Sequence, residues 1–363
     1  MTDRRLVGPV RIVGAGLLGA SIGLALRERG VDVILADVSP ASVTLAIDYG
    51  AGRRAAEGDD PQLIVVCVPP DVTASCVAVE LAAYPNALVT DVASIKLAPL
   101  NELIELGADV SRYIGSHPMA GRERGGAVSA RADLFIGRPW VLAGHDGITY
   151  GRAAAVEDLA LDLGAVPIEM DAAAHDSSVA LVSHVPQVIA SLLAARLSDA
   201  TDSTVGLAGQ GLRDSTRIAS SEPELWVQIL AANSAPVVSV LEGFRTELDT
   251  VIAALSDPSA PGARRALAEA MAHGNAGVAR IPGKHGQAKH FSQIIVKVDD
   301  RPGELARLLT EIGEAGVNME DLHLEHSPGA QIGLAEISVV PEAEQRLVDE
   351  LESRGWSIAG AFT

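Results

Sequence analysis

From Val10 to about Met170, short apolar runs alternate with longer stretches of helical periodicity. The runs VRIVG, VDVILAD, LIVVCVP, ALVTDV, RYIGS, PWVLAG and AVPIEM read as strands, and several are apolar on both faces. A strand with no polar face belongs in a mostly parallel sheet covered by helices on both sides, so this region predicts an α/β, doubly wound sheet. From Asp171 to about His273 the strand-like runs stop. Long alanine- and leucine-rich stretches replace them, among them HDSSVALVSHVPQVIASLLAARL and ELWVQILAANSAPVVSVLEGFRTELDTVIAAL. They predict an all-helical region in which Pro186 and Pro236 kink or interrupt the helices, because proline has no N–H to donate. HGNAGVARIPGKHGQAKH, residues 273–290, reads as a linker. Beyond it FSQIIVKV, GELARLLTEIGEAG, NMEDLHLEH, QIGLAEISVV, EAEQRLVDELESRG and WSIAGAF follow the βαββαβ order of a ferredoxin-like unit. The expected domains are residues 1–170, 171–282 and 283–363.

Composition narrows the partners. The 363 residues are 48% hydrophobic and carry a net charge of −19, which suits a globular chain and repels nucleic acid or an anionic membrane. An anionic substrate must then be attracted by a local group of arginines. Cys67 and Cys76 form no CxxC pair and no disulfide framework; each is expected as a small buried hydrophobe, and no metal site is expected. The N-terminal MTDRRLVGPVRIVGAG lacks the apolar run of a signal peptide, and the apolar helix near 180–197 is broken by Ser183, His184 and Pro186. These features lead us to expect a soluble cytoplasmic protein.

The first strand runs into Gly14, Gly16 and Gly19, a GxGxxG pattern at the start of a helix. The glycines allow a tight turn, a close approach of backbone to a pyrophosphate, and close helix–strand packing. The phosphates would rest on free N–H groups at the positive end of the helix. The next strand ends in Asp37, eighteen residues past Gly19, where a carboxylate can hold ribose hydroxyls and would repel a 2′-phosphate. The reading is a Rossmann-type sheet that binds NAD. The expected cofactor set is Gly14, Gly16, Leu17, Leu18, Gly19, Asp37, Val68 and Ser94.

Four polar clusters remain: DVASIK (91–96), SHPMAG (116–121), SHVP (183–186) and GLRDSTRIA (211–219). The first two follow strands, at the carboxyl edge of the sheet where nicotinamide would reach. Singly, none decides. A histidine after a strand, such as His117, is commonly a satisfied loop residue. His184 in an apolar helix is commonly a buried histidine or a partner of the Pro186 kink, and Arg217 a surface salt-bridge residue. Arg122, Glu123 and Trp226 could line a pocket, or belong to a solvated loop and, for Trp226, the core.

In the order GAGLLGASIG, DVASIK, SHPMAG, HDSSVALVSHVP and LRDSTRIA, the chain resembles the prephenate dehydrogenases of tyrosine biosynthesis and the related arogenate dehydrogenases, over nearly its whole length. The C-terminal DRPGELARLLTEIGEAGVNMEDL looks like an ACT domain. The resemblance implies NAD-dependent oxidative decarboxylation of prephenate to 4-hydroxyphenylpyruvate. It implies His117 as the catalytic proton acceptor, and Ser94 as the group that orients the same hydroxyl and touches the nicotinamide. His184, Ser183 and Arg217 would bind substrate, with Asp214 orienting Arg217 or a nearby loop; Arg213 carries over as a charge only. A guanidinium fork suits a carboxylate, and prephenate has two. The resemblance also implies a homodimer built on the helical domain. Gly303 and Asn318 would lie near an effector, with L-tyrosine the expected one, although the module could serve dimerisation alone. The rivals are arogenate dehydrogenase on the same scaffold and a non-catalytic regulator that binds NAD and an amino acid. A generic β-hydroxyacid dehydrogenase is a weaker third, since it would rely on a lysine in the helical domain, and none occurs between Lys96 and Lys284.

Overall fold

The computed structural model describes residues 5–120, 126–281, 291–326 and 332–362. They divide into two compact units, residues up to 199 with 215–244, and residues 200–214 with 245 onward. Arg122, Glu123 and residues 282–290 of the expected linker lie outside the described residues.

The first unit is built on eight strands. They are β1 (Val10–Val13), β2 (Val33–Ala36), β3 (Arg53–Arg54), β4 (Leu63–Val66), β5 (Leu88–Asp91), β6 (Tyr113–Pro118), β7 (Pro139–Gly144) and β8 (Val166–Asp171). Their order in the sheet is β3-β2-β1-β4-β5-β6-β7-β8, and all neighbours run parallel except β6 and β7. Every residue of β4 and β5 is buried, as strands covered on both faces must be. One core forms around Ile12, Val33, Val65, Trp140 and Leu159, a second around Ile64, Val66, Val89, Leu103 and Tyr113. The strand order reverses between β1 and β4, which opens a crevice at their carboxyl ends. Sequence pattern anticipated seven of these strands. The two-residue, charged β3 is too short to leave a periodic signal. Cys67 and Cys76 are free thiols, half-buried rather than fully buried, and they pack against the first and second cores respectively.

After β8 the chain enters one apolar helix over residues 172–195. Pro186 does not break it. The stretch Ala180–His184 instead adopts a wide, π-type turn, and Pro186 falls in the first turn of the regular segment Val185–Ala195. Loosening the turn ahead of a proline accommodates its missing donor and its ring without ending the helix. With a mean hydropathy of 1.6 this helix is long and apolar enough to cross a membrane by composition. Its buried polar residues, however, are His175, Asp176, His184 and Gln187, an unusual set to place in lipid. Helix Pro223–Ala232 then turns by 93° into helix Ser234–Ser256, with Asn233 at the bend and Pro236 in the first turn of the second helix.

In the second unit, β9 (Ser292–Asp299), β10 (Asp321–His326), β11 (Ile332–Val339) and β12 (Ser357–Phe362) form an antiparallel sheet in the order β10-β11-β9-β12. Helices Glu304–Glu314 and Pro341–Ser353 supply Leu308, Ile312, Leu347 and Leu351 to a core with Ile294, Val296 and Ile337. Strand β9 alternates buried and exposed positions, the pattern of a sheet covered on one face. Gly303 caps the first helix with φ at 94°, and the exposed Asn318 lies in the connection that enters β10.

Tight packing under the first helix gives a test. A Cβ on Gly23 would lie 2.2 Å from the Ala51 carbonyl oxygen, so backbone must move to admit it. Gly23→Ala should cost about 1–3 kcal/mol in chemical denaturation. An unchanged midpoint would show that this contact is slack.

Candidate active site

At the end of β1, the chain makes a close turn against β4. Gly14 has φ at 103°, and a Cβ there would meet the Cys67 carbonyl oxygen at 2.2 Å; one on Gly19 would meet the Gly14 carbonyl oxygen at 1.9 Å. Gly16 differs, for nothing lies within 4 Å of its would-be Cβ. Helix Leu17–Glu28 begins here with no side-chain cap and no acidic residue in its first turn, so the N–H groups of that turn have no capping side chain. Asp37, at the tip of β2, accepts hydrogen bonds from the Ala15 N–H at 2.7 Å and the Ser39 N–H at 2.8 Å. A carboxylate has about four lone-pair sites, so it retains acceptors for ribose hydroxyls. The open face at Gly16 and the uncapped helix fit a dinucleotide. Val68 follows β4 at the same edge of the sheet and packs on the second core.

At the end of β6, His117 is 8% exposed. Its Nδ1 lies 2.9 Å from Nε2 of His175, and Nδ1 of His175 lies 2.7 Å from an Asp176 carboxylate oxygen. A carboxylate only accepts, so the His175 proton sits on Nδ1 and its Nε2 is the acceptor facing His117. His117 therefore carries its proton on Nδ1 and keeps a bare Nε2. The same Asp176 carboxylate accepts the N–H groups of Lys96 and Leu97 at 2.8 and 2.9 Å, where its charge meets the positive start of helix Leu97–Glu105. Burial is the main cause that holds the His117 imidazole well below its ordinary 6.5, with His175, Lys96 and His184 adding to it. It is a neutral base at physiological pH.

A second buried group braces β6. The Lys96 ammonium pairs with Asp91 and donates to the Ser116 carbonyl oxygen at 2.8 Å, while the Tyr113 hydroxyl donates to the other Asp91 oxygen at 2.7 Å. Burial lowers Lys96 from its usual value, and the Asp91 charge opposes that shift. Lys96 thus fixes the peptide that carries His117, from the same loop that carries Ser94.

A cavity of about 620 Å³ opens beside these groups, lined by Ser94, His117, Ser183, His184, Arg217 and Trp226 among others. Five of the expected residues are therefore brought together. His184 sits in the π-type turn, with burial holding it down at about 4 against the pull of Asp176. Its ring meets Trp226 edge to face at 6.0 Å between centroids. Asp214 belongs to the second unit. Exposed on the short helix Gln210–Thr216, its carboxylate accepts a hydrogen bond from the Gln210 side chain one turn earlier, at 2.8 Å. Arg213 is exposed on the same helix. Sequence reasoning missed Gln187, which lines the cavity and donates to the Ser221 hydroxyl at 2.7 Å. It also assigned nothing to His175, Asp176 or Asn233. The adjacent His-Asp in HDSSVALVSHVP was the available signal.

Two family models match the chain. One, for the nucleotide-binding domain of prephenate dehydrogenase, matches residues 22–169, and one for its dimerization domain matches residues 171–273. A probable prephenate dehydrogenase of Streptomyces niveus, NovF, is 36% identical over 95% of this chain and 98% of its own. The crystal structure of prephenate dehydrogenase from A. aeolicus, in complex with hydroxyphenyl propionate and NAD+, is 26% identical with a TM-score of 0.66, covering 75% of this chain and 99% of that one. Arogenate dehydrogenase of Synechocystis has a similar likeness, 26% identical with a TM-score of 0.61, over 74% of this chain and 99% of its own. Sheet order, glycine turn and the two matched domains agree on one conclusion: the chain belongs to the prephenate dehydrogenase family.

Proposed function

We propose that this protein catalyses the NAD-dependent oxidative decarboxylation of prephenate to 4-hydroxyphenylpyruvate. The observation that carries the reading is His117, a buried neutral imidazole with a bare Nε2 on the wall of a cavity that also holds an arginine. Gly14, Gly16, Leu17, Leu18, Gly19, Asp37 and Val68 would hold the dinucleotide. When bound, NAD+ supplies the acceptor for the hydride released from the carbinol carbon. His117 takes the hydroxyl proton at Nε2 as the carbonyl forms, and Ser94 orients that hydroxyl. The imidazolium keeps its Nδ1–H on His175, which passes the stabilising influence of Asp176 one ring further. Loss of CO2 then sends its electron pair into the ring, and His117 can return the proton to the same oxygen as the dienone becomes a phenol. Arg217 meets a substrate carboxylate with a charge-assisted pair of hydrogen bonds.

The remaining parts of the proposal concern regulation and assembly. The βαββαβ order of β9–β12 and the Gly303 turn support an ACT module, with L-tyrosine as effector near Gly303 and Asn318. Exposed Leu181, Val182, Leu192 and Val227 on the helices of the matched dimerization region support a homodimer that covers them. The division 1–170, 171–282 and 283–363 and a cytoplasmic location belong to the same reading.

NADH should appear when NAD+ and prephenate are supplied. Turnover of arogenate alone would change the substrate, and silence with both would overturn the activity. His117→Asn should lower kcat by about 10²–10⁴ while NAD binding survives; unchanged turnover would remove its role. Because the free enzyme holds His117 well below 6.5, kcat/KM should stay level from pH 8 down through 6.5 and fall only in more acid solution. A fall centred above 6.5 would contradict the buried neutral base. Arg217→Ala should raise KM for prephenate by roughly ten- to a hundred-fold, the worth of a hydrogen bond to a charged group, and an unaltered KM would assign that anion to another cation. Gly16→Ala should leave the melting temperature in place and weaken NAD binding at least about ten-fold. Unchanged NAD affinity would move the pyrophosphate elsewhere.

A further inference from the structure

Asn233, at the bend between two helices, is 2% exposed and does not line the cavity. Its side-chain amide nitrogen donates to the Asp176 backbone carbonyl at 2.8 Å and lies 3.0 Å from Nδ1 of His184. The carbonyl can only accept, which fixes the amide group with its NH2 on this side. The second amide hydrogen then points at His184, so Nδ1 of that ring must be an acceptor. A neutral imidazole with an acceptor at Nδ1 carries its proton on Nε2. His184 is neutral, since burial keeps it down at about 4.

We propose that Asn233 is a positioning residue that holds His184 as a hydrogen-bond donor to the cavity, and so makes the site select a substrate with an acceptor oxygen at that wall over its aminated analogue. The inference rests on the proposed prephenate activity and names the group it distinguishes. His117 and His184 then present opposite faces of imidazole chemistry, one a bare nitrogen and the other an N–H. Among the described residues that line the cavity there is an arginine and several donors but no carboxylate to meet an ammonium group. A keto acid finds an N–H and a guanidinium there; the corresponding amino acid brings an ammonium that meets only neutral acceptors and faces a donor at His184.

The first test needs no substitution. Nitrogen-15 NMR of the histidine rings in the folded wild-type protein, with His184→Gln to assign the signal, should show His184 protonated at Nε2 and bare at Nδ1. The opposite tautomer would overturn the proposal, whatever the activity. Asn233→Leu keeps the bulk and removes the donor. Both tautomers should then appear, KM for prephenate should rise about ten-fold with kcat changed less, and the preference for prephenate over arogenate should shrink. A wild-type KM and preference in that variant would refute the role. Failure of the wild-type enzyme to use prephenate would instead sink the functional reading and leave the tautomer result standing.

Discussion

Asp176 is the constraint on which the site depends. It is almost fully buried, and each of its side-chain oxygens and its backbone carbonyl accepts a hydrogen bond. The carboxylate takes two backbone N–H groups from the Ser94–Leu97 loop and the ring of His175, and the backbone carbonyl takes the Asn233 amide. An isolated carboxylate would be costly at this depth; one that meets three donors and the start of a helix is stabilised there. Through these bonds a single residue of the long apolar helix sets the cofactor-side loop, the proton acceptor and the second cavity histidine. The order of dependence runs outward from Asp176 to His175 and Asn233, and from them to His117 and His184.

The buried Asp91–Lys96 pair complements it from the sheet side. Breaking such a pair leaves an uncompensated charge and is far more costly than its net contribution when intact. Its use here is geometric. Lys96 ties the Ser116 carbonyl, and therefore the His117 backbone, to the loop whose N–H groups Asp176 holds. Backbone and ring of the proton acceptor are thus fixed by two separate devices that meet at Lys96. The added positive charge also helps keep His117 unprotonated, so position and protonation state come from the same residue.

Much of the fold could be read from the chain because its signals are local. Apolar runs such as LIVV mark strands buried on both faces, and the glycine turn with Asp37 at the next strand end marks a nucleotide site. Ser94, His117, Ser183, His184 and Arg217 were legible as members of ordered motifs. The relay behind them was not. Nine residues separate His175 from His184, which in a regular helix of 3.6 residues per turn places them on opposite sides. The wide turn at Ala180–His184 changes that phase, and it depends on a proline whose usual reading is a break. Asn233 was invisible for another reason, as its role exists only once two distant helices meet. A role for Asp214 beside Arg217 was not legible either, because adjacency in sequence does not fix the direction of a side chain on an exposed helix.

The most direct measurement of this account is the turnover of Asp176→Asn with NAD+ and prephenate, alongside NAD binding by the same protein. An asparagine can donate to His175 and so undo the tautomer that leaves His117 bare at Nε2. The account predicts a loss of at least about 10² in kcat with NAD binding retained. Wild-type turnover in this variant would contradict it, because the proton acceptor would then owe nothing to the carboxylate behind it.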